Sequence, residues 1–217
     1  MSAACGRGPS SAPACPHDLS SGRGIDFEVV LSSFPTTIRR DLTLADLSKY
    51  PETEALGPGG KLQGLTGASQ ELRYDAKIAL APRFFGGPRC AWIDHLSVDI
   101  TPKNSEIIVP REYPEDSCQY EQILAHERTH EDTTRDALAE AADELRRALR
   151  KTDWLPARGT PISVADRAQA EKRIEAMIDR AAKPVYDAYL ARLKERQAVI
   201  DLPENYRWVS RRCPTWR

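Results

Sequence analysis

Between Pro114 and Pro156 the chain contains neither proline nor glycine, and its apolar and small residues recur at helical spacing, with Ala137, Ala141, Leu145 and Ala148 continuing the face of Ile123 and His130. A chain with such a stretch must house one long helix. Asp116 or Ser117 can cap its start, and the pattern runs to about Lys151. The small side chains on its face would let a second helix approach closely.

On this helix stands His126-Glu127-Arg128-Thr129-His130. Residues four apart lie about one turn apart on one face, so the two imidazoles can grip one metal ion. Glu127 sits beside that face, where it can reach a water on the metal without being a ligand. The chain has only 4 histidines in 217 residues. Two of them bracketing a Glu at this spacing predict zinc (Zn2+) as cofactor, with His126 and His130 as ligands and Glu127 as the catalytic base.

A hydrolytic zinc site takes three protein ligands and keeps a fourth position for water, so one ligand is missing from the motif. Trp154 to Pro161 is a turn, rich in helix breakers, and Ser163 with Asp166 can cap a second helix carrying Ala168, Ile174, Ile178, Val185, Leu190 and Leu193. If the two helices form an antiparallel hairpin about position 158, His130 faces 186 and His126 faces 190. Allowing about one turn of error, the window 182–194 holds a single Asp, Glu, His or Cys, which is Asp187. Asp187 is therefore the expected third ligand, with Pro184 expected to kink the helix before it.

Other candidates fit this register less well. Glu195 lies just past the window, and Glu175 and Asp179 fall opposite residues well down the first helix. Asp136 holds the third-ligand place of an extended zinc motif, but that motif needs a glycine turn where Thr133 stands. His95, beside Asp94 on a strand, reads as a surface or hydrogen-bonded residue.

The first half reads as strands. Ile25–Leu31, Glu71–Leu80 and Cys90–Ile100 alternate apolar and polar residues, and Ile107–Val109 is a fourth short run ended by Pro110. Thr43 with Asp46 can cap a short helix, and Tyr50 to Gln70 reads as a long glycine-rich loop. The expected fold class is α+β, a small mainly antiparallel sheet followed by a long antiparallel helical hairpin. Its organisation is a leader or processed-signal remnant over 1–24 and one zincin-like domain over 25–217, with a β-rich part (25–110), the hairpin (116–200) and a C-terminal tail (201–217).

With 31 basic and 32 acidic residues, no global field recruits nucleic acid or an anionic membrane. No apolar run reaches the length of a transmembrane segment. Cys5, Cys15, Cys90, Cys118 and Cys213 form no C-x-x-C pair. They allow one or two disulfides in an oxidising compartment, the odd count leaving at least one thiol over, or unpaired buried cysteines.

On His126-Glu127-x-x-His130 opening a long helix after a β-rich half, and on Tyr186-Asp187 in the second helix, residues 25 to 210 resemble the bacterial predicted secreted zinc-dependent proteases. The resemblance implies a secreted or periplasmic metallopeptidase acting on a peptide or protein substrate, with Tyr189 or Tyr206 as possible oxyanion stabilisers. The strand at 105–109 would hold substrate if it is a free edge. A different reading of the same residues is a binding or scaffold protein that uses the helical hairpin, with structural zinc or none.

Overall fold

The computed structural model describes residues 15, 24–32, 35–55, 61–81, 88–214 and 216. Apart from Cys15 and Gly24, the expected leader lies outside the described residues, as do the glycines at 57, 59 and 60. In chain order the elements are β1 (Asp26–Val30), β2 (Thr37–Arg39), α1 (Leu44–Leu47), α2 (Glu52–Ala55), β3 (Leu65–Leu80), β4 (Arg89–Ile108), α3 (Cys118–Arg150), β5 (Ile162–Val164), α4 (Arg167–Ile200) and α5 (Pro203–Ser210). Helices and strands are both present and the fold class is α+β.

β4 is the organising strand. It stands between β1 and β2 in a five-stranded sheet and also pairs with β3 and β5. The expectation of a mainly antiparallel sheet is corrected here. β2 runs parallel to β4, with Thr37, Ile38 and Arg39 opposite Glu106, Ile107 and Ile108, whereas β5 runs antiparallel, with Ile162 opposite Ala91. Parallel partners cannot be joined by a tight turn, and here α1, α2 and β3 all lie in the chain between β2 and that part of β4. Because Glu106–Ile108 are paired with β2, the run expected at 105–109 is not a free edge over those residues.

Several boundaries differ from the sequence pattern for local reasons. The expected strand at 107–109 is the end of β4, which continues through Thr101 to Glu106 with Asn104 at φ 53, a left-handed conformation that asparagine tolerates. The expected loop at 50–70 contains α2 and the first third of β3. Ser163 does not cap the second helix, because β-branched Ile162 and Val164 pair with β4 and the helix starts later. Asp166 takes the cap, its Oδ1 accepting from Gln169 N at 2.8 Å. Other signals hold as read. Thr43 and Asp46 form a reciprocal capping box on α1, and Ser117 Oγ accepts from Tyr120 N at 3.1 Å at the start of α3.

The chain forms two compact units. One contains Tyr74–Val98 and Arg146–Lys183, with the described chain before Val29. Its core gathers Ala91, Ile93, Leu96, Leu149, Leu155, Val164, Ile174 and Ile178, all buried, and the Cys15–Cys90 disulfide closes it. Ile93 N donates to Pro156 O at 2.8 Å, tying the turn after α3 to the strand.

The other unit comprises Val29–Arg73, Asp99–Leu145 and Pro184–Arg217. Ile107, Val109, Tyr113 and Ile123 make one apolar cluster, and Leu47, Leu62 and Ile108 another. Neighbouring residues of β4 thus pack to opposite sides, Ile107 under α3 and Ile108 under α1, as strand alternation dictates. Within this unit, Arg192 pairs with Glu144 and Arg196 with Glu140, both at 2.7 Å. A second disulfide joins Cys118 to Cys213. No described helix is long and apolar enough to cross a membrane.

Candidate metal centre

The buried residues of α3 in this unit are Ile123, Glu127, His130, Thr134, Ala137, Leu138, Ala141, Ala142 and Leu145. Three of these nine side chains, Glu127, His130 and Thr134, are polar, so the helix buries hydrogen-bonding groups that must find partners. His126, one turn before His130, is half-buried beside them.

The partner comes from beyond the end of α4. Asp201 Oδ1 lies 3.0 Å from His130 Nε2 and 3.3 Å from His126 Nε2, and the two Nε2 atoms are 3.4 Å apart. Among the described residues, His126, His130 and Asp201 are the group of His, Cys, Asp or Glu side chains able to hold a metal ion. Asp187 is not in it. That side chain is exposed on α4, and the carboxylate that the structure brings to the two histidines is that of Asp201.

The register explains this difference. A hairpin folded symmetrically about 158 puts His130 opposite 186, but Gln197 Nε2 donates to His130 O at 3.0 Å, and Glu140 and Glu144 meet Arg196 and Arg192 rather than 176 and 172. The contacts are displaced by 11 to 20 residues, so the residue that reaches the histidines comes from beyond the window 182–194. The connection between the helices is not a simple turn, since β5 leaves it to join the sheet.

Gln197 also sets the histidine tautomer. Its Nε2 donates to both His130 O and Thr134 Oγ1 at 3.0 Å, which turns Oε1 toward His130 Nδ1, with which it is hydrogen-bonded. Nδ1 must then be the donor, and in the neutral ring Nε2 presents a lone pair toward Asp201. A carboxylate oxygen and two imidazole nitrogens converging this closely repel one another unless a cation or a proton stands among them. Three ligands about 2.0–2.2 Å from a tetrahedral zinc stand roughly 3.3 Å apart. The observed separations of 3.0, 3.3 and 3.4 Å match those edges.

Electrostatics follow the same geometry. Burial opposes the charged form of His130, but its hydrogen bond to Asp201 and the charge of Glu127 outweigh it and raise its pKa. Burial likewise works against the Asp201 carboxylate, and the hydrogen bonds from both histidines overcome it and hold Asp201 well below the usual range. Tyr206, on α5, donates to Asp201 Oδ1 at 2.9 Å and lays its ring 5.2 Å from that of His126. Burial and the neighbouring Asp201 charge push its phenol up.

Glu127 is only 3% exposed. Thr66 Oγ1 donates to its Oε2 at 2.8 Å, and Gly64 stands against its other oxygen. Burial raises its pKa, with the two histidines and the Thr66 hydrogen bond acting against that rise. Glu127, His130, Asp201 and Tyr206 line a cavity of about 470 Å³, together with Gly64, Thr66, Ala68 and Gln70 at the start of β3.

No protein-family model, curated protein or solved structure matches this chain.

The remaining sequence candidates lie elsewhere. His95 Nδ1 is 3.0 Å from Asp26 Oδ2, and Glu175 and Asp179 flank the Tyr74 hydroxyl. Tyr186 and Tyr189 donate to the backbone and side chain of Gln70. Of the two tyrosines considered, Tyr206 borders the cavity. The sequence did hold a signal for Asp201, because a Cys118–Cys213 bridge would force the chain after α4 back onto the start of the motif helix.

Proposed function

We propose that the protein is a zinc-dependent peptidase, secreted or periplasmic, related to the bacterial secreted zinc-dependent proteases that residues 25 to 210 resemble. The observation that carries this reading is the convergence of His126 Nε2, His130 Nε2 and Asp201 Oδ1 at tetrahedral edge distances, with a buried glutamate next to them in a cavity. His126, His130 and Asp201 would hold the ion, leaving a position for water or substrate. When bound, zinc supplies the Lewis acidity that acidifies water and polarises a carbonyl.

The protein's own groups do the rest. Glu127 accepts the proton of the attacking water and returns it to the departing amine. Its burial suits this double role, since a carboxyl whose pKa is raised holds the proton it takes up more readily until it can be passed on. Thr66 fixes the carboxylate through Oε2, and Gly64 lets the chain pass close enough to shield it. Tyr206 holds Asp201 through Oδ1 and presents its hydroxyl at the cavity wall. The pairs Glu140–Arg196 and Glu144–Arg192 support reading α3 and α4 as antiparallel partners that bring the end of α4 to the histidines. Two disulfides accord with an oxidising compartment.

The test is a zinc-loaded Glu127→Gln protein assayed on an unfolded protein substrate. It should retain the metal and lose about 100-fold to 10,000-fold in cleavage, the usual share of a general base. Unchanged cleavage would refute the peptidase mechanism. Metal retained with no cleavage by either protein would favour the binding or scaffold reading.

A further inference from the structure

The ligand that completes the metal group is carried by a short segment with its own covalent tie. Asp201 directly follows α4, the eight-residue α5 runs from Pro203 to Ser210, and Cys213 is bonded to Cys118, the first residue of α3. The segment is thus pinned to the helix that carries His126 and His130. Between its ends, Tyr206 touches Asp201 and His126, Val209 is buried, and Arg212 Nη1 donates to Gln122 Oε1 at 2.9 Å. A helix of this length is marginal on its own, so α5 depends on these attachments.

The two disulfides differ in access. Cys15 and Cys90 are both buried, whereas Cys118 is half-buried and only Cys213 is shielded. Cys118 is thus the least shielded of the four bridged cysteines, which makes its bridge the one more open to a thiolate.

Resting on the zinc reading above, we infer that the Cys118–Cys213 disulfide is a redox latch on the metal centre, and that opening it loosens Asp201 and Tyr206 from the histidines and releases zinc. The step is thiol–disulfide exchange with a dithiol reductant. One thiolate bonds to Cys118 Sγ and expels the Cys213 thiolate. The reductant's second thiolate then closes its own disulfide and frees Cys118, so two electrons pass to the protein and both cysteines leave as thiols.

The experiment compares the full-length protein with its disulfides intact to the same protein mildly reduced and then alkylated at Cys118 and Cys213, so that the new thiols cannot themselves bind metal. Mass spectrometry confirms that Cys15–Cys90 remains closed, and zinc affinity is read by competition with a chromophoric chelator. The latch predicts that affinity falls by about tenfold or more, as for loss of groups that orient ligands. A Cys118→Ser/Cys213→Ser protein should show the same fall, and a Cys15→Ser/Cys90→Ser protein should not. Equal affinity with the latch open and closed would overturn the inference while leaving the zinc site standing, whereas no zinc bound by the oxidised protein would overturn both. Hydrogen exchange separates the latch from general unfolding. Protection lost at 203–210 but kept at 136–145 supports it, and loss at both, or at neither, contradicts it.

Discussion

A Cβ placed on Gly64 would stand 2.6 Å from Oε1 of Glu127, closer than any side chain tolerates. The same Cβ would meet Ile123 Cγ2 at 2.6 Å, so the chain entering β3 is fitted against one turn of α3 at both a polar and an apolar point. Gly64→Ala must push the strand away or turn the carboxylate. The expected result is a loss of about 1–3 kcal/mol in denaturant unfolding, the usual cost of overpacking, together with reduced peptide cleavage. Wild-type stability and turnover in this variant would show that the approach is not tight.

Gln197 predicts an effect on metal affinity without touching the metal. It accepts from His130 Nδ1 and is itself held by His130 O and Thr134 Oγ1. Gln197→Ala frees the ring to rotate and change tautomer, which should weaken zinc binding by about 10–100-fold. Competition titration with a chelator measures this, and an unchanged constant would remove Gln197 from the site.

A pH effect is expected away from the metal. Burial, helped by the carboxylates of Asp179 and Glu175, pushes the Tyr74 phenol from its ordinary 10.0 up to about 12. Between these values the unfolded chain loses the Tyr74 proton while the folded chain keeps it. Stability should therefore fall as pH rises through that interval. Denaturant midpoints at pH 9.5 and 11.5 should drop less in Tyr74→Phe than in the wild-type protein. Equal drops would place Tyr74 outside this linkage.

The sequence revealed the parts of the site that lie on one element and hid those that depend on register between elements. His126, Glu127 and His130 are fixed by helical spacing alone, and Ser117 and Thr43 cap their helices where local chemistry asks. Asp201 was missed because hairpin arithmetic assumes a symmetric turn, whereas β5 diverts the connection into the sheet, and its one signal lay in a cysteine pairing that the sequence leaves open. Gly64 and Thr66 looked like loop, since their role exists only once β3 passes over Glu127. The parallel pairing of β2 with β4 was likewise invisible, because it joins segments with no shared turn.

Zinc stoichiometry and affinity in wild type, Asp201→Ala and Asp187→Ala test the ligand set most directly. The wild-type protein should hold one zinc per chain. Asp201→Ala should lose more than the roughly 100-fold that removal of an outer-shell partner costs, and Asp187→Ala should bind as the wild type does. Full affinity in Asp201→Ala, or its loss in Asp187→Ala, would contradict the account.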